Sequence, residues 1–111
     1  RPRAEHAVLK SAVAFADDDV PCKCALAWLV GERVRSDEQL AASSLESLCE
    51  SFSIDPPEVQ HQLLAACVKQ RLRNPQSSRI EAVCVETLRA ATEEVDDVDV
   101  RERALVFQRF T

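Results

Sequence analysis

Five cysteines and two histidines are the side chains of this sequence that could support nucleophilic or metal chemistry. The cysteines stand at positions 22, 24, 49, 67 and 84, and no two of them form a C-x-x-C pair. On a helix, Cys22 and Cys24 would point about 200° apart, which is poor geometry for zinc. We therefore expect free, reduced and mostly buried thiols, with a disulfide scaffold or a metal site as the alternatives.

A Cys–His nucleophile pair would be the mark of a thiol enzyme. His61 and Cys67 lie six positions apart in the sequence, and a helix separates such positions by about 240°, so the two side chains cannot meet. The acidic runs at 17–19 and 96–97 lack the alternating ligands and closing Glu of a calcium-binding EF-hand, and we expect solvated turns there. The sequence thus predicts no catalytic residue, no cofactor and no metal. A helical thiol hydrolase remains the enzyme alternative.

The composition of the 111 residues is that of a helical globular domain. The single glycine excludes a Gly-rich phosphate loop and argues against the tight hairpins of an all-β domain. A net charge of -5 argues against a dedicated nucleic-acid partner. No apolar run reaches the roughly 20 residues of a membrane span. Because the start carries neither Met nor a signal peptide, we expect 1–111 to be a single excised fragment.

The elements that must position these residues are about six predicted helices. Apolar stripes at helical spacing predict helices over 3–16 and 21–34, and further helices beginning near Ser36, Asp55, Ser78 and Asp99. Each of the last four starts carries a capping signature. Successive pairs occupy roughly 35–45 residues, the period of HEAT and armadillo repeats. We therefore predict an all-α, HEAT/armadillo-like α-α superhelix segment with three antiparallel helix pairs and apolar ends.

Three segments, in the same order and spacing, resemble the trunk of the β-adaptin family. These are 25–32 (ALAWLVGE), 59–69 (VQHQLLAACVK) followed by 71–75 (RLRNP), and 99–104 (DVRERA). The second is similar to the family's VQxxLLTAxVKLFLxxP helix, and the third resembles its D-x-R-D-R-A segment. The departures from the family pattern are Arg33, Ala65, Glu102 and Gln108. They indicate a divergent member and leave open which adaptor complex it belongs to.

The resemblance implies a non-enzymatic structural role in coated-vesicle formation and intracellular protein transport. It implies the C-terminal part of the adaptin N-terminal trunk, partnered by the medium and small chains and the second large chain of an adaptor complex. It also implies a cytoplasmic location, peripheral on coated vesicle, Golgi, endosomal or plasma membranes through the complex. The alternative is a HEAT-repeat segment of a coatomer subunit or a nuclear transport receptor.

Nine residues are predicted to have structural or partner-docking roles. Trp28 is interpreted as core packing between adjacent helices rather than a partner anchor, and Gly31 as a close helix contact. The basic cluster formed by Lys69, Arg71 and Arg73 is expected at a solvated helix end, where it complements the helix dipole. Contact of this cluster with an acidic partner or with anionic lipid is the alternative. Arg101 and Arg103 are expected to bridge carboxylates on neighbouring helices. The other members of the set are Leu63 and Leu64.

Overall fold

The computed structural model describes residues 19–110, together with Leu9 and Ala12. Over 19–110 the chain forms helices and short connections, with no strand, so the all-α prediction is confirmed. The elements are α1 (Val20–Arg33), α2 (Glu38–Leu48), a 3-10 helix (Cys49–Ile54), α3 (Pro57–Arg73), α4 (Ser78–Glu93) and α5 (Val98–Gln108). None of these helices has the length and apolar character that crossing a bilayer requires.

The helix predicted over 3–16 lies outside the described residues, apart from Leu9 and Ala12. Both of these residues are helical and pack against the buried core. The pairing predicted between that helix and α1 is therefore not described.

Capping side chains start the helices within two residues of the predicted positions. The capping acceptors are Asp19, Asp37, Ser77 and Asp97, each of which accepts a hydrogen bond from a backbone N–H in the first turn. The caps predicted at Ser36 and Ser78 are each wrong by one residue, and the cap predicted at Asp99 is wrong by two. The carboxylate of Asp37, 2.9 Å from the Leu40 N–H, takes the capping place and also suits the positive end of the helix dipole.

The start of α3 differs more from the prediction. Pro56 occupies the capping position without a side-chain hydrogen bond, and Pro57 is the first helical residue. The predicted cap, Asp55, instead forms an ion pair with Lys23 of α1. The local sequence pattern predicts that the Asp55 carboxylate caps α3, but this carboxylate binds Lys23, which is distant in the sequence.

The helices are arranged in two layers, α1, α3 and α5 in one and α2 and α4 in the other. Lys23 near the start of α1 contacts Asp55 just before α3, and Glu32 near the end of α1 contacts Lys69 near the end of α3. These two helices therefore run in the same direction. α2 packs against α3, and α4 packs against α5, so the members of two of the predicted pairs are in contact. The most extensive packing lies between pairs, where α1 rests on α3.

α3 is the central helix, because it contacts every other helix. Leu63 and Leu64 are fully buried on it, and each contributes about 1.5–3 kcal/mol of hydrophobic stabilisation. Helical spacing in the sequence predicts one apolar stripe of Val59, Leu63 and Cys67 on this helix, and all three residues are buried. The same spacing predicts a second stripe from Leu64 to Leu72, and this is wrong at Leu72, which is 64% exposed.

Candidate functional site

α1 and α3 are in close contact at the only glycine of the sequence. A Cβ added to Gly31 would lie 3.1 Å from the Ala66 Cα and 3.3 Å from the Ala66 Cβ. Such distances are tighter than ordinary van der Waals contact, so any larger residue here would push against the backbone of α3. The close helix contact predicted for Gly31 is present.

Polar side chains of α3 cap the carboxyl end of α1. The Gln70 side-chain amide donates to the backbone carbonyls of Val30 and Val34, at 2.6 Å each. The Arg73 guanidinium donates to the carbonyl of Gly31 and, at 3.4 Å, to that of Val34. The last carbonyls of a helix have no partner within it, so these donors satisfy groups that would otherwise be buried unpaired. Gln70 is itself 0% exposed and was missed by sequence reasoning.

The three basic residues at the end of α3 are all engaged within the chain. Lys69 forms an ion pair with Glu32 of α1, and its hydrogen bond lowers the pKa of that carboxyl. Arg71 donates to the Pro75 carbonyl at 2.9 Å and lies 3.3 Å from a carboxylate oxygen of Glu81. The helix end is therefore more than a solvated terminus: Lys69 and Arg73 contact the end of α1, and Arg71 contacts the connection to α4 and its first turn.

A buried ion pair joins the first turn of α1 to the connection before α3. Lys23 Nζ lies 2.9 and 3.0 Å from the two carboxylate oxygens of Asp55, and donates to Ser51 Oγ at 2.7 Å. Lys23, Ser51 and Asp55 therefore hold the start of α1 against the connection before α3.

Three cysteines meet between α2, α3 and α4. The Sγ atoms of Cys49 and Cys67 are 3.9 Å apart, and the Cys84 thiol donates to the Cys67 carbonyl at 3.0 Å. The hydrogen bond with Cys67 lowers the pKa of Cys49, with smaller help from Thr87. Hydrogen bonds with Cys49 and Cys84, together with burial, raise the pKa of Cys67 well above its usual range.

All five cysteines are free thiols, but only Cys67 and Cys84 are fully buried. The polar partners of Cys49 are a thiol and a hydroxyl, not an imidazole. Nδ1 of His61 is buried without a hydrogen-bond partner in the described structure. Among residues 19–110, no group of histidine, cysteine and acidic side chains has the arrangement to hold a metal ion.

A groove of about 520 Å³ lies between α4 and the end of α2 with its 3-10 helix. Cys49 and Phe52 line it, and four glutamates surround it: Glu46, Glu50, Glu86 and Glu94. Three of these acids are paired: Arg79 contacts Glu46, and the single charge of Arg89 is shared between Glu86 and Glu94. The Cys49 thiol therefore lines a groove whose rim carries ion pairs between arginine and glutamate side chains.

Two predictions about exposed residues are wrong. Trp28 is 46% exposed, with the Arg33 guanidinium 5.9 Å from its ring centroid, because the buried stripe of α1 faces the other way. Arg101 and Arg103 are exposed and form no ion pair with the described residues. In the part of the chain that the structure describes, α5 packs on α3 and α4, and the side that carries these arginines is exposed.

The fold and its internal polar contacts define an all-α segment of stacked helical hairpins with a HEAT-like arrangement. Neither a family model nor a solved structure matches the chain. It is 33% identical over 95 residues to the AP-1 complex subunit beta-1 of Mus musculus and of Homo sapiens. It is 32% identical over 92 residues to the AP-1 complex subunit beta of Dictyostelium discoideum.

These matches cover 83% of this chain, and the chain belongs to the β-adaptin family as a segment. It spans about 9% of the length of these curated relatives.

Proposed function

We propose that the chain is a non-enzymatic structural and interaction segment of the large β subunit of an adaptor complex. Its similarity to AP-1 β subunits over 83% of its residues carries this proposal. The segment belongs to the C-terminal part of the adaptin N-terminal trunk. The whole protein acts in coated-vesicle formation and intracellular protein transport.

The segment works by shape rather than by chemistry. The buried pair of Lys23 and Asp55 fixes one end of α1 on α3, and the carbonyl contacts of Gln70 and Arg73 fix the other. Because α1 is fixed on α3 at both ends, the outer surface of the stack is rigid. A partner can then bind without the entropy cost of ordering that surface. This supports a scaffold for the medium and small chains and the second large chain.

Trp28 is the residue we assign to partner contact. It is a large aromatic side chain left half exposed on a rigid helix, with Leu29 beside it also partly exposed. Tryptophan is enriched among the few residues that dominate the binding energy of protein interfaces. The surface formed by Trp28 and Leu29 therefore contacts another adaptor subunit in the assembled complex.

Through that complex the protein is cytoplasmic and peripheral on coated vesicle, Golgi, endosomal or plasma membranes. A coatomer subunit or a nuclear transport receptor is the alternative drawn from the sequence. The relatives found are AP-1 β subunits, which supports the adaptor complex instead.

Affinity capture of the full-length natural protein tests the proposal. We expect the medium chain, the small chain and the second large chain to co-purify from native lysate, as identified by mass spectrometry. Trp28→Ala should lower their recovery about tenfold. Ile54→Ala, at an exposed apolar residue in the 3-10 helix, is the matched control and should leave recovery unchanged. Recovery of coatomer or nuclear transport components without adaptor chains would refute the proposal.

A further inference from the structure

The Cys49 and Cys67 thiols are close enough for a covalent bond to form between them. Their Sγ atoms are 3.9 Å apart, at the end of α2 and the middle of α3. A disulfide has an S–S length of about 2.05 Å, so the sulfurs need to approach by about 2 Å. Cys49 opens the 3-10 helix, and it lines the groove beside α4.

The two thiols differ in access and in protonation. Cys49 is half-buried and lines the groove beside α4, whereas Cys67 is fully buried. The hydrogen bond with Cys67 lowers the pKa of Cys49, and Thr87 and the ammonium of Lys23 act in the same direction. A thiol that is reachable and has thiolate character reacts first with an oxidant, and a second thiol beside it then resolves the product.

We propose that Cys49 and Cys67 form a redox modification site, in which a hydroperoxide converts the two thiols into an intrachain disulfide. The Cys49 thiolate attacks one peroxide oxygen, the O–O bond breaks, and Cys49 becomes a sulfenic acid. The released hydroxide takes up the proton that Cys49 lost and becomes water. Cys67 sulfur then attacks Cys49 sulfur, and the displaced hydroxide leaves as water with the Cys67 proton. Two thiols lose two electrons, and hydrogen peroxide is reduced to two waters.

The other cysteines are poorer partners for this reaction. The Cys84 thiol is buried and already donates to the Cys67 carbonyl. Burial raises the pKa of Cys24, and the carboxylates of Glu58 and Asp55 raise it further. Cys49 is therefore a better first target for an oxidant than Cys24 or Cys84. Once formed, the disulfide links the end of α2 to α3 across a separation of 18 residues and removes the thiol from the groove.

Peptide mapping of the full chain tests the proposal. Native protein is treated with hydrogen peroxide, its remaining thiols are alkylated after unfolding, and it is cleaved after glutamate without reduction. Cleavage after Glu46, Glu50, Glu58 and Glu81 puts Cys49 in 47–50 and Cys67 in 59–81. We expect these two peptides joined, with the loss of two hydrogen atoms. A Cys49 sulfinic acid without the link, or a link to Cys22 or Cys24, would overturn the proposal.

Matched variants separate chemistry from misfolding. Cys84→Ser should retain the linked peptides, whereas Cys49→Ser should abolish them and leave Cys67 reduced. Circular dichroism establishes that each variant keeps its helices. If Cys49→Ser fails to fold, the wild type still decides: in the native state iodoacetamide should modify Cys49 about tenfold faster than Cys67. Equal rates at the two thiols would contradict the assignment.

Discussion

The ammonium of Lys23 and the carboxylate of Asp55 form a buried salt bridge, 2.9 Å apart, with side chains only 8% and 10% exposed. Asp55 also accepts from the Ser51 hydroxyl at 3.3 Å, so both charges have several polar partners. Taking two charges out of water is costly, and their attraction offsets this cost only while both are present. The pair therefore specifies where α1 meets the start of α3.

Removal of one member of this pair is expected to be strongly destabilising. Lys23→Met leaves an unpaired buried carboxylate and should lower the free energy of unfolding by about 3–5 kcal/mol. The double variant Lys23→Met with Asp55→Leu should recover most of this loss, because no charge is left buried. Urea unfolding of both variants and of the wild type measures the difference. A double variant as unstable as the single one would show that packing, not charge, governs this contact.

The Gln70 amide should make a measurable contribution by capping α1. Gln70→Ala leaves the Val30 and Val34 carbonyls without this donor, so we expect a loss of about 1–3 kcal/mol in unfolding free energy. Gln62→Ala, in the same helix and half-buried, is the control and should change stability by less than about 0.5 kcal/mol. Equal losses in the two variants, measured by urea unfolding, would mean that the cap adds nothing.

The helices are predictable from the sequence because their signals are local. Capping residues and apolar spacing act within a few positions, and the described helix starts lie within two residues of those predicted. The exposure of Trp28 was not predictable in this way. Leu26, Trp28 and Leu29 are all apolar, so the pattern of α1 does not select a buried face. The buried face of α1 is determined by where α3 packs against it.

The roles of the polar residues on α3 depend on contacts far away in sequence. Lys69 pairs with a residue 37 positions before it, and Gln70 donates to carbonyls 36 and 40 positions away. From the local sequence alone, a basic cluster near a helix end predicts a solvated terminus. Only the placement of α1 against α3 turns these side chains into caps and ion pairs.

Acid should weaken the contact between α1 and α3. The hydrogen bond from Lys69 holds the pKa of Glu32 below its ordinary value of 4.5, so this group stabilises the fold fully above pH 4.5. That contribution is lost as the pH falls through the lowered value of the folded state. Urea midpoints between pH 6 and pH 3, about the range of carboxyl titration, should fall less for Glu32→Gln than for the wild type. Parallel pH profiles would refute this coupling.

The outer side of α5 should promote self-association of the isolated chain. Leu105 and Val106 are about half exposed there, and an uncovered apolar surface favours contact with a second copy. Sedimentation velocity over a wide concentration range should detect a dimer or larger species.

Charge substitution tests whether this face is responsible for the association. Leu105→Glu should shift the population to monomer, whereas Val85→Glu, at an exposed apolar site on α4, should not. Both substitutions place one extra negative charge on a chain of net charge -5, so general repulsion is the same in the two variants. A difference between them therefore reports the α5 surface itself. A wild type that remains strictly monomeric at every concentration would contradict the prediction.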